Sequence, residues 1–167
     1  MLNRRRLLLT LLLSPLLSSC GFRLRGFIQL DEQLQPLRLQ TDASARPLTA
    51  ELSRQLSLSG VEVTDQPAEA RVTLHLQNLQ RDEVQVVFGA SEEYAITLRV
   101  QASVEDAQGQ WLLMDEDFAA TRQYVDEDSS LVRNQIRAEL EQQLRQDLIR
   151  QLILRIQTLS PQQPQIP

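Results

Sequence analysis

The spacing of apolar residues along the chain changes twice. From Leu7 to Leu17 the residues are almost all apolar, broken only by Thr10, Ser14 and Pro15. From about residue 37 to residue 125 apolar and polar positions mostly alternate, with one stretch where leucines fall four apart. Beyond residue 129 apolar residues recur at every fourth position until Pro161. A continuous run, a period of two and a period near 3.6 correspond to a hydrophobic segment, half-buried strands and amphipathic helices.

The alternating region resolves into elements. Leu37 to Gln40 reads as a short strand. Pro47 suits the first turn of a helix, whose apolar face is Leu48, Leu52 and Leu56, and Gly60 is placed to end it. Val61 to Thr64 reads as a strand, and Gln66 and Pro67 as a turn. Val72, Leu74 and Leu76 then alternate with Thr73, His75 and Gln77. This strand is expected to run on toward Val87, with a bend or turn near Arg81 to Glu83. The clearest alternation follows: Tyr94, Ile96, Leu98, Val100, Ala102 and Val104 on one face, Thr97, Arg99, Gln101, Ser103 and Glu105 on the other. Asp106 to Gln110, with Gly109, suits a hairpin turn. Trp111 to Asp117 and Phe118 to Tyr124 return as one long strand or two shorter ones.

In the last region Val132, Ile136, Leu140, Leu144, Leu148, Leu152 and Ile156 step by four, joined by Ile149 and Ile153. Ser129 or Ser130 is the expected cap, and Ser160-Pro161 ends the pattern. A helix of about 30 residues would be ~45 Å long. Its stripe is expected to pack on a sheet, a coiled coil or a membrane-surface helix being the alternatives. The fold class is therefore α+β, with one short and one long helix on one face of a small sheet. No internal repeat is visible.

The N-terminal run has a different meaning. Arg4, Arg5 and Arg6 precede it, and its 11 residues fall short of the roughly 20 needed to cross a bilayer core. Together they read as an export signal. Leu17, Ser18, Ser19 and Cys20 resemble the lipobox of bacterial lipoproteins, in which the cysteine receives a diacylglycerol and, after cleavage, further acyl chains such as palmitate. Two or more chains anchor a protein stably. Cys20 is the only cysteine of the chain; a buried free thiol or half of a disulfide is the alternative. Gly21, where inner-membrane lipoproteins often carry Asp, points to the periplasmic side of the outer membrane. The expected organisation is a signal peptide at 1–19, a lipidated tether at 20–36, an α+β domain at 37–160 and a disordered tail at 161–167.

Composition narrows the functional classes. All 17 basic residues are Arg, and removal of residues 1–19 leaves 14 of them against 22 acids, a formal charge of -8. That excess of acid argues against a nucleic-acid partner. Catalytic constellations are scarce. His75, the only histidine, falls on the polar face of a strand and reads as an exposed side chain rather than the base of a Ser-His-Asp site. No His- or Cys-rich metal site can be assembled. The acids Glu92-Glu93, Asp115-Glu116-Asp117 and Asp126-Glu127-Asp128 fall at expected strand ends and read as solvated charge. The five glycines form no phosphate-binding loop. No catalytic residue, cofactor or metal is expected.

The segment Cys20-Gly21-Phe22-Arg23-Leu24-Arg25-Gly26 resembles the start of the mature LPS-assembly lipoproteins of the LptE family, as do Glu93-Tyr94 heading the clean strand, Arg122-Gln123-Tyr124, and the Arg- and Gln-rich helix ending Arg150-Gln151-Leu152. The resemblance implies two helices on a roughly four-stranded mixed sheet and a non-enzymatic role. It implies partnership with the LptD β-barrel, which the protein would plug and help assemble, and a part in lipopolysaccharide transport to the cell surface. It further implies a lipopolysaccharide contact through basic residues. One such position aligns with Arg133, whose guanidinium would pair with a lipid A phosphate; an ordinary solvated first-turn arginine is the alternative. The second position has no counterpart, since Phe88-Gly89-Ala90-Ser91-Glu92 carries no basic residue. Other functional classes are a different periplasmic-face lipoprotein, such as a secretin pilotin or barrel-assembly accessory, and a lipoprotein hydrolase relying on His75.

Overall fold

A computed structural model describes residues 30–88, 92–126 and 129–159. Residues 1–29, Cys20 among them, 89–91, 127–128 and 160–167 lie outside the described residues, and with them the expected signal peptide, lipidation site and disordered tail. The chain forms β1 (Leu37–Thr41), α1 (Arg46–Leu58), β2 (Val63–Thr64), β3 (Val72–Val87), β4 (Glu93–Asp106), β5 (Trp111–Val125) and α2 (Ser130–Gln157). The strands form one mixed sheet in the order β2-β1-β3-β4-β5. β1 runs parallel to both β2 and β3, while β3, β4 and β5 form an antiparallel meander. The class is α+β as expected. The sheet has five strands rather than roughly four; the shortest, the two-residue β2, lies within the stretch Val61 to Thr64 whose pattern reads as a strand.

Local chemistry explains the boundaries. Pro47 lies in the first turn of α1, where its missing N–H costs no helical hydrogen bond. At the other end Val61 N–H donates to Leu56 C=O and Gly60 N–H to Ser57 C=O. That double bond pattern is the Schellman motif, and it requires the left-handed φ of +81° that Gly60 adopts. Gly109 plays the same part in the β4–β5 hairpin, with φ +77°.

β3 is one 16-residue strand whose register against β4 shifts between Gln77 and Gln80 and again between Gln85 and Val87, not at Arg81 to Glu83. Gln77 pairs with Gln101 but Gln80 pairs with Arg99, so one extra residue is inserted at Asn78-Leu79. Asn78 takes φ +57°, a conformation asparagine tolerates better than most residues. Such a bulge leaves ladder N–H groups without partners. Here the β1–α1 loop supplies them: Asn78 N–H donates to Asp42 Oδ2 at 2.9 Å and Leu79 N–H to Ser44 Oγ at 3.0 Å. Asp42 also accepts from Ser44 Oγ and Ala45 N–H. β5 has a comparable break near Asp115, φ +46°. Ser103, nearly buried at 4% exposure, fills it by accepting from Asp115 N–H and donating to Asp115 Oδ1. β5 is therefore one continuous strand, and Asp115-Glu116-Asp117 lies inside it, not at a strand end.

Both helices pack on one face of the sheet. Leu48, Leu52 and Leu56 of α1 and Leu144, Leu148, Ile149, Leu152, Ile153 and Ile156 of α2 are buried against Leu37, Val72, Leu74, Leu76 and the apolar face of β4. Leu34, in a short 3-10 turn at Glu32–Leu34, is fully buried in this core, and Leu30 nearly so. Residues 30–36 thus close the core, although their mixed composition reads as a tether. The α2 stripe buries fully only from Leu144 onward; Ile136 and Leu140 are half-buried and Val132 is exposed. Ser129 occupies the cap position of α2 without a side-chain cap hydrogen bond.

Candidate functional site

Two surfaces carry polar chemistry, and the bulge in β3 separates them. Before it, odd-numbered residues of β3 face away from the helices: Thr73, His75 and Gln77 oppose Glu105, Ser103 and Gln101. The inserted residue reverses the alternation. Beyond it Gln80 and Asp82 share the open face with Arg99 and Thr97, while Arg81 and Glu83 turn to the helix side.

On the open face, His75 Nε2 lies 3.0 Å from Glu105 Oε1, and its ring lies 5.6 Å from that of Trp111. Gln77 donates to Gln101, Thr97 and Thr121 share a hydroxyl hydrogen bond, and Arg99 pairs with Asp82. A shallow cleft of about 190 Å³ lies at its β1–β3 side, lined by Gln40, Thr41, Asp42, His75, Leu76 and Gln77. His75 is half-buried in this setting rather than an isolated surface side chain. Asp42 is held at about 2, well below the usual carboxylate range, by hydrogen bonds from Ser44, Asn78 and Ala45.

On the helix side, past the end of the apolar core, the elements are joined by charge. Glu83 accepts from Tyr124 Oη, from Arg81 Nη2 at 2.8 Å and from Arg137 Nη2 at 2.8 Å. Arg81 Nε reaches Glu141 at 2.5 Å. The Arg137 guanidinium lies 5.7 Å from the centre of the Tyr124 ring, within cation–π range, and Tyr94 stacks on Tyr124. Arg122 pairs with Asp147, and Arg155 with Glu116. Burial opposes the charge on Glu83, but the hydrogen bonds from Tyr124 and Arg81 and the charge of Arg137 outweigh it and lower its pKa. Burial and the neighbouring Glu83 raise that of Tyr124.

Arg133 stands at the margin of this network. It is half-buried, with Nε 2.5 Å from Asp126 Oδ1. It is therefore a paired cation at the exposed tip rather than a freely solvated one, and an incoming anion would compete with Asp126. Around it the tip is apolar: Val87, Phe88, Val125, Leu131 and Val132 are all exposed. Among the described residues no group of His, Cys, Asp or Glu side chains is arranged to hold a metal, and no helix is long and apolar enough to cross a membrane.

Sequence reasoning did not reach Glu83, Arg81, Tyr124 and Arg137 as a cluster. The available signal was in α2, where Arg137 and Glu141 stand four apart next to the half-buried Ile136 and Leu140. Their partners on β3 stayed hidden because unbroken alternation from Val72 places Arg81 and Glu83 on the open face.

Residues 34–156 match the model of the LptE family, described as lipopolysaccharide-assembly. The LPS-assembly lipoprotein LptE of Pectobacterium atrosepticum is 30% identical over 149 residues, covering 81% of this chain and 78% of that protein. The LPS-assembly lipoprotein LptE of Yersinia enterocolitica is 37% identical over 109 residues, 60% of this chain; the match spans about half (52%) of that relative's length. Among solved structures, a minor lipoprotein of Acinetobacter baumannii superposes with a TM-score of 0.63 at 24% identity, over 77% of this chain and 96% of the other. Lipoprotein B of Nitrosomonas europaea does so with 0.66 at 18% identity, over 80% and 88%. Those two likenesses establish the shared fold.

Proposed function

The chain belongs to the LptE lipopolysaccharide-assembly family, and from that premise we propose that it acts as a lipid-anchored plug of an LptD-type outer-membrane β-barrel. It sits on the periplasmic side, held by acyl chains on Cys20. It helps the barrel assemble and takes part in the transport and insertion of lipopolysaccharide at the cell surface, without catalysing a reaction. The observation that carries this reading is the distribution of polarity. One sheet face is covered by both helices, and the other presents Thr97, Arg99, Gln101, His75 and Gln77. A polar face suits the wet lumen of a barrel, and a barrel wall would shield the long β5 edge from stray strand pairing.

Within this reading Arg133 is the lipopolysaccharide contact, its guanidinium exchanging Asp126 for a lipid A phosphate in bidentate geometry. The exposed apolar residues beside it suit acyl chains. The test is affinity purification of the tagged full-length chain from membranes, with bound proteins identified by mass, paired with depletion in cells. Co-purification of a large barrel, its misassembly on depletion and retention of lipopolysaccharide inside the cell are expected. Capture of a secretin instead, with normal surface lipopolysaccharide after depletion, would replace the reading with a pilotin role.

A further inference from the structure

Beyond the polarity that suits a barrel lumen, one part of the open face carries specific hydrogen-bonding and aromatic groups. Gln40, His75, Gln77, Gln101 and Trp111 come from four neighbouring strands and lie in three successive cross-strand rows. Gln40 stands opposite His75, Gln77 opposite Gln101, and Trp111 opposite the Glu105 that holds the imidazole. Three strand spacings make this span about 14 Å. The cleft at its β1–β3 side, about 190 Å³, is smaller than the ~300 Å³ of a site that encloses a drug-sized ligand. It accommodates one ring, with the remainder of a ligand lying across the sheet toward Trp111.

The unused hydrogen-bonding atoms specify the ligand. Gln77 Nε2 is committed to Gln101 Oε1, leaving Gln77 Oε1 as an acceptor and Gln101 Nε2 as a donor. Among the described residues the Gln40 amide makes no hydrogen bond, so it offers both roles, and Nδ1 is the remaining polar atom of His75. A hydroxyl both donates and accepts, so neighbouring sugar hydroxyls satisfy such a mixed set, whereas a purely accepting anion does not. Asp42 in the cleft and Glu105 beside it also repel an anion. The half-exposed indole of Trp111 against the imidazole provides the flat apolar surface on which the C–H face of a sugar ring stacks. We infer that this face binds a neutral, hexose-containing oligosaccharide. The inference rests on the assembly reading only for the source of the sugar, the hexoses of the lipopolysaccharide core rather than the glycan of the cell wall.

Trp111 is the only tryptophan of the chain, so its emission reports this site without interference. The full-length lipidated protein, in a zwitterionic detergent free of sugar headgroups, is titrated with the neutral hexose portion of lipid-free core oligosaccharide, its phosphates and acidic sugars removed, and, separately, with a cell-wall glycan disaccharide. Calorimetry is run in parallel. Expected is a saturable emission change with the core oligosaccharide. The double variant Gln40→Ala, Gln77→Ala should weaken it at least tenfold. These exposed or half-buried glutamines are removable without opening the core, and an unchanged melting temperature checks this. Absence of saturation by both methods, or binding that survives the double variant, overturns the site. Binding of the cell-wall disaccharide alone overturns the assigned source. Failure of the wild-type chain to capture a barrel overturns the assembly reading while leaving the titration intact.

Discussion

The two ends of α2 are held to the sheet by different forces. From Leu144 to Ile156 the helix presents six buried apolar side chains to a core shared with α1, β1 and the near halves of β3 and β4. From Ser130 to Glu141 it presents arginines and carboxylates to the far halves of β3 and β5, with Ile136 and Leu140 only half-buried. Burial of apolar surface is non-directional and yields ~25 cal/mol per Å². The charged end depends on geometry, and its contribution is limited by the cost of partly dehydrating Glu83 and its arginines. One continuous helix therefore joins a stable anchor to a positioned but more weakly held arm.

The largest test of this contrast is Leu144→Asp. It places an unpaired carboxylate at a fully buried position and is expected to cost roughly 4 kcal/mol or more, abolishing the cooperative melt of the domain. A truncation pair sharpens it. Leu52→Ala should cost ~2–5 kcal/mol by leaving a cavity, whereas Ile136→Ala, in the half-buried arm, should cost about 1 kcal/mol; chemical denaturation of both variants gives the comparison. Equal losses would show that the arm belongs to the same core.

In the arm itself, Glu83→Gln keeps the shape and removes the charge shared by Arg81, Arg137 and Tyr124. A loss of about 1–2 kcal/mol is expected at low salt, shrinking near 1 M salt, where the screening length is ~3 Å. Hydrogen exchange should locate the loosening in residues 130–141 and spare 144–156. The smallest effect concerns pH. The folded pKa of Asp42, about 2, lies below its ordinary 3.8, so its contribution is complete above pH ~4 and declines as pH falls toward 2. Asp42→Asn should lower the melting temperature at pH 7 and flatten the fall between pH 4 and 2.

How far these regions are legible in the sequence follows from the same contrast. The anchor announces itself in periodicity. Leu48, Leu52 and Leu56, the β4 alternation, and the stripe of Leu144, Leu148, Leu152 and Ile156 all occupy the faces that their spacing requires. The arm is written in pairs rather than in a period. Glu83 is unremarkable among 22 acids until the bulge turns it toward Arg137, and nothing at Asn78-Leu79 marks an insertion except an asparagine, which is tolerant of left-handed backbone. The open face is intermediate. Its polar alternation at Thr97, Arg99, Gln101 and Ser103 is readable, but the meeting of His75 with Trp111 depends on the register of β4 against two neighbours, which composition does not encode. The packing of Leu30 and Leu34 stays hidden because two leucines in a mixed segment carry no period at all.

The bulge at Asn78-Leu79 also gives β3 something like a reading frame. Upstream and downstream halves of the strand are each spelled correctly only because two residues are counted as one against β4. Losing one of them would leave every downstream letter unchanged and yet misplace each one, turning Arg81 and Glu83 outward and Gln80 and Asp82 inward. Substitution at the bulge is thus a local matter, whereas a change of length there is a global one. The hairpin at residues 106–110, which ends a ladder rather than interrupting it, has no such constraint. In this chain an added or lost residue is accordingly a local change at the hairpin, while between Gln77 and Gln80 only a change of spelling is.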